Sequence, residues 1–119
     1  MARPSSFDLA SELAKRSFTP GQRDAPGLVD LVVAGVEPAA ARAAPALAAL
    51  RDGGRSAIAT RLASADEAAT ARLIAVLGLL ARNGDAEAAE IVIARMKDSA
   101  SRVRRAAAIA LGKTGGPAA

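Results

Sequence analysis

Between residues 87 and 97, apolar side chains return every three or four positions. Ala89, Val92, Ile93 and Met96 fall at i, i+3, i+4 and i+7, with Glu87, Glu90 and Lys97 opposite. That spacing gathers the apolar set on one stripe of a helix. A second helix follows, with Val103, Ala106, Ala107, Ala110 and Leu111 on one face. Ser99 or Ser101 is placed to cap its start, and Gly115 to close its end. Upstream, residues 73–80 are apolar on nearly every side, and a helix of that kind has to be covered from more than one direction. Residues 5–16 predict a short first helix with Phe7, Ala10, Leu13 and Ala14 on one face. Thr19-Pro20-Gly21 and Pro26-Gly27 interrupt the chain after it.

The pattern repeats. One stretch contains Glu37 and Arg42 and runs to Gly53-Gly54, a second contains Asp66 and Arg72 and runs to Gly84-Asp85, and a third contains Asp98 and Arg104 and runs to Gly115-Gly116. In the two later copies the acid precedes the arginine by six residues and a glycine follows that arginine by twelve. The arginines at 42, 72 and 104 set a period of 30 to 32, in the range of architectures that stack one supersecondary unit on the next. Each copy reads as two helices. The first copy is irregular: its outer helix would carry Leu28, Leu31, Val32 and Gly35, and Pro45 stands three residues beyond Arg42. Either the inner helix there kinks at Pro45, or it begins near Ala44 with the proline in its first turn. The expected division is an N-terminal helix and loop over 1–25 and a repeat domain over 26–119. Its units run over about 26–54, 55–84 and 85–115, and a further one opens at 116–119.

Composition sharpens this picture. Of 119 residues 33 are alanine and only Phe7 and Phe18 are aromatic. Alanine loses no rotamer freedom in a helix, whereas a sheet favours β-branched and aromatic side chains, so the chain predicts an all-α protein. Each alanine buries little, at about 0.8 kcal/mol per methylene, and helices made this way need neighbours. The sequence has no cysteine, histidine, tryptophan or tyrosine. Disulfides and thiolate chemistry are thereby excluded, zinc loses its usual ligands, and the commonest acid–base group near neutral pH is missing. No catalytic, cofactor-binding or metal-binding residue can be nominated. The longest apolar runs, 31–36 and 73–80, fall far short of the roughly 20 residues of a membrane helix, and no secretory leader is visible. The chain therefore reads as soluble and cytoplasmic.

The segment Asp98…Val103-Arg104-Arg105-Ala106-Ala107-Ala108-Ile109-Ala110-Leu111-Gly112-Lys113-Thr114-Gly115 resembles bacterial HEAT repeats of the short, phycobilisome-lyase-like variety. The resemblance covers roughly residues 26–119 and is most specific from 64 onward. It implies an α-solenoid of stacked antiparallel helix pairs coiled into a right-handed superhelix. Typical units of the family are longer, at about 40–47 residues. In the family the turn aspartate and the inner-helix arginine of successive units form a ladder. Carried over, this implies a ladder of Asp66, Arg72, Asp98 and Arg104, while Glu37 and Arg42, five apart, only approximate it. It also implies a scaffold that binds another protein and performs no chemistry.

Charge offers a second reading. The chain is +4 overall, yet residues 91–119 hold six basic side chains and one acid, Asp98. Arg102, Arg105 and Lys113 are candidates for a binding surface, and on an inner helix they could meet nucleic-acid phosphates. Gly112-Lys113-Thr114 lacks the upstream glycine and the strand of a phosphate loop and reads as a helix end. Ile109 shares a helical side with Arg102 and Arg105, an odd place for an apolar residue facing water. A following unit would cover it, and so the chain reads as a possible fragment, able to self-associate through an uncapped last repeat. A third reading follows, that of an interaction module ahead of a longer enzyme.

Overall fold

A computed structural model describes Leu9 and residues 21–113 (for Lys113 the backbone alone). A short 3-10 turn, Gln22–Asp24, leads into six helices: α1 Ala25–Ala34, α2 Ala39–Ala49, α3 Asp52–Leu62, α4 Glu67–Arg82, α5 Ala86–Arg95 and α6 Ser101–Lys113. No strand occurs among the described residues. The helices pack as pairs in chain order, α1 on α2, α3 on α4 and α5 on α6. The pairs stack: α2, α4 and α6 lie side by side as one layer of inner helices, and α1 and α3 touch in the outer layer. The result is an all-α repeat, as the sequence pattern requires.

The helix α4 is the hub, in contact with all five others. Leu73, Ile74, Val76, Leu77 and Leu80 are buried on it, which accounts for a segment apolar on nearly every side. Neighbouring helices come close because alanine and glycine face one another. A Cβ built on Gly78 would stand 2.9 Å from the Cβ of Ala110 on α6. Helix ends follow local chemistry. The backbone N–H of Asp85 donates to the Leu80 carbonyl and that of Gly84 to Ala81, each at 3.0 Å. Gly84 sits at φ +96, the left-handed conformation with which glycine closes a helix. Asp66 and Asp85 start α4 and α5 by accepting from the N–H groups of Ala69 and Ala88.

Four sequence expectations change in detail. The helix α2 begins at Ala39 and keeps Pro45 in its interior. Proline there leaves the carbonyl of Ala41 without its i+4 donor, and the ring lies on an exposed face, where water can replace the bond. Gly53 and Gly54, expected to close the first unit, lie in the first turn of α3. On α5 the apolar stripe is displaced: Ala88 and Val92 are buried, Ile91 is half-buried, and Ile93 and Met96 are 54% and 41% exposed. Ala88, Ile91, Val92 and Arg95 have the same i, i+3, i+4, i+7 spacing as the expected set, and this second stripe is the one that packs. Arg95 can take part because Asp98 holds its guanidinium at 2.9 Å. Asp98 also accepts from the N–H of Ala100 just ahead of α6, the place expected of Ser99 or Ser101. The expected helix over 5–16 and the Gly115 end lie outside the described residues, apart from Leu9, which is helical and lies against Gly27.

One backbone position is strained. Arg51, between α2 and α3, has φ 54 and ψ −121, and the Gly53 N–H donates to the Leu50 carbonyl across it at 3.2 Å. This is the first corner of a type II′ turn, where glycine is the default residue. Arg51→Gly is expected to raise the unfolding free energy by about 1 kcal/mol. A lower urea midpoint in the variant would show that the corner carries no such strain.

Candidate interaction surface

Asp66 stands at the start of α4, where its carboxylate accepts from the Ala69 N–H, and Arg72 lies six residues on, beyond the three- or four-residue spacing of helix neighbours. They form no ion pair. Arg72 instead donates to the Val33 carbonyl at 2.9 Å, reaching from α4 to the last turn of α1. There a cation satisfies a carbonyl that the helix leaves unpaired. Its guanidinium would lie 2.7 Å from a Cβ on Gly35, whose φ is +68. Arg104 likewise donates to backbone oxygens, those of Asp98 and Ser99 at 2.8 and 3.0 Å. Asp98 is held by the Ala100 N–H and by Arg95, which together keep its carboxyl below the ordinary carboxylate pKa.

Side-chain ties between successive pairs exist elsewhere, on the outer helices. Arg61 on α3 pairs with Asp30 on α1. Arg55 on α3 pairs with Asp85 ahead of α5 at 2.7 Å, and both side chains are largely buried. The partners are 31 and 30 residues apart, one repeat period each. Opposite charges separated by one period were the sequence signal for them. Burial opposes the Asp85 carboxylate, but hydrogen bonds from the Ala88 N–H and from Arg55 outweigh it and lower its pKa. Because the folded value lies below the unfolded one, this group stabilises the fold above about pH 4 and ceases to do so as pH falls through the folded value. Asp85→Asn, which keeps the cap, should flatten that acid limb. Urea midpoints at about pH 7 and about pH 3 should fall further for the native protein than for the variant, and an equal fall would dismiss the tie as a stabilising contact.

The exposed face of the inner layer is grooved. A cavity of about 310 Å³ between α4 and α6 is lined by Ala75, Gly78, Leu79, Ala106, Ile109 and Ala110, with Arg82 at its edge. A second, of about 270 Å³, lies between α2 and α4, and Ala75 and Leu79 line this one too. The two grooves are thus one surface folded over α4. Ile109 is 54% exposed on it. Arg102 and Arg105 are exposed on α6 at seven and four residues before Ile109, so they flank the same strip. The Lys113 side chain lies outside the described residues. Among the described residues, no group of three or more acidic or metal-binding side chains converges to hold an ion.

Residues 55–119, more than half of the chain and spanning α3 to α6, match the family model for HEAT repeats. The chain belongs to the HEAT repeat family. No curated protein and no solved structure gives a match. HEAT repeats generally serve as scaffolds for protein interaction. In this one, α1 and α2 precede the matched segment yet pack against the α3–α4 pair as a further pair of the stack. No described helix of this HEAT protein is long and apolar enough to cross a membrane.

Proposed function

We propose that this HEAT protein is a non-catalytic scaffold whose working surface is the grooved face of α2, α4 and α6. The observation that carries the reading is the apolar groove between α4 and α6, open to water with Ile109 exposed along it. An exposed apolar strip edged by cations is what a protein interface offers before its partner arrives. A sequence without histidine or cysteine fits binding better than chemistry. The exposed Arg102 and Arg105 favour nucleic acid as a second reading.

The two readings separate by salt. A complex recovered with the tagged protein should persist when salt is raised from about 50 to about 200 mM and should survive nuclease. Binding driven by about three phosphate contacts would lose about fortyfold in affinity over that range. Recovery only at low salt, abolished by nuclease, would overturn the protein-scaffold reading.

A further inference from the structure

Charge in this molecule is sorted by layer. The inner helices α2, α4 and α6 carry seven basic residues and one acid, Glu67, whereas α1, α3 and α5 carry three basic residues and four acids. The outer cations are all matched: Arg55, Arg61 and Arg95 each form an ion pair. Arg82, Arg102 and Arg105 on the inner layer are exposed and have no acidic partner among the described residues. The basic surplus read at the end of the sequence thus reaches α4, where Arg82 joins Arg102 and Arg105 of α6.

Those cations border an apolar floor, and the combination narrows the partner. An acidic tail without apolar side chains would meet the arginines but leave Leu79 and Ile109 in water. Nucleic acid would meet the phosphate-seeking cations yet gain nothing from the floor, and residues 21–113 contain no aromatic side chain on which a base could stack. An amphipathic helix satisfies both halves, since its apolar side chains recur every three or four residues and lie along a groove. Its acidic flanks then face Arg82 from α4 on one side and Arg105 from α6 on the other.

We infer that the groove between α4 and α6 is a docking site for an acidic amphipathic helix, its apolar stripe set against Ala75, Leu79 and Ile109 and its carboxylates against Arg82 and Arg105. This rests on the inner face being a protein-binding surface. The docked helix would bury Ile109, the most exposed large apolar side chain of the groove, and supply the acidic partners that Arg82 and Arg105 lack.

The test is fluorescence anisotropy on the full chain with labelled probes. They are an amphipathic peptide of leucine and glutamate about five turns long, its scrambled isomer, the same peptide with lysine for glutamate, and a short DNA duplex. The acidic amphipathic peptide should bind at least about tenfold more tightly than each of the others. Ile109→Glu should weaken it by about tenfold or more, Arg82→Ala by about threefold, and Ile93→Glu, an exposed site on α5, should leave it unchanged. All three positions are exposed, and far-UV circular dichroism checks that the variants stay folded. A preference for the lysine peptide that still depends on Ile109 would overturn the acidic partner and leave the protein-binding face standing. DNA binding more tightly than any peptide would remove both. Equal binding of the scrambled peptide, or no binding by any peptide, would also overturn the inference.

Discussion

Leu77→Ala is expected to lower the unfolding free energy by about 3 kcal/mol, within the range for a fully buried leucine. In a chain of this size that corresponds to a fall in melting temperature of more than about 12 °C. Leu77 has no exposed surface and lies on α4, the helix that touches all the others. Much of the surrounding core is alanine, including Ala43, Ala48, Ala88, Ala107 and Ala110. Such short side chains cannot swing into a void, so the cavity should persist with its full cost. Leu79, packed against the edge of the core and partly exposed over the grooves, serves as the comparison. Its replacement by alanine should cost less than about 1 kcal/mol. Similar losses at the two positions would mean that α4 is not buried as described.

Gly54→Ala should be nearly as damaging, although alanine is the better helix former by about 1 kcal/mol. A Cβ at residue 54 would stand 2.1 Å from the backbone carbonyl oxygen of Leu47. The first turn of α3 rests directly on the last turn of α2, and neither backbone can move aside without opening the junction between the first two helix pairs. A net loss of about 2–3 kcal/mol is expected. The adjacent Gly53 makes an internal control. The atoms nearest its Cβ would be those at the end of the Gln22 side chain, which can turn away at the cost of one exposed hydrogen bond to Leu50. Gly53→Ala should therefore be close to neutral in a urea melt, and a loss as large as that at Gly54 would refute the close α2–α3 contact.

The fold was legible because its signals are local and repeated. Glycine recurs at a fixed distance from Arg72 and Arg104, and residues 73–80 are apolar on all sides, which only a stack explains. The site was less legible, for physical reasons visible in particular residues. On α5 two stripes share Val92 and the same spacing, and hydropathy favours the one with Met96. The structure uses the one with Arg95 because Asp98, beyond the helix end, neutralises it. Arg72 and Arg104 find backbone carbonyls, and no sequence pattern marks a carbonyl left unpaired at a distant helix end. The ties Asp30–Arg61 and Arg55–Asp85 were within reach of the sequence, since each spans one period. The groove was not, because it depends on how closely Gly78 and Ala110 bring α4 and α6 together.

That the grooved inner face is where this HEAT repeat protein works is tested most directly by photo-cross-linking in the cell of origin. A photoreactive residue replaces Ala75, exposed between the two grooves, or Ser56, exposed on the outer helix α3. Discrete protein adducts from position 75, absent from position 56 and lost when Ile109→Glu is added, are the expected result. Adducts of equal yield from position 56, or adducts to nucleic acid alone at position 75, would contradict it.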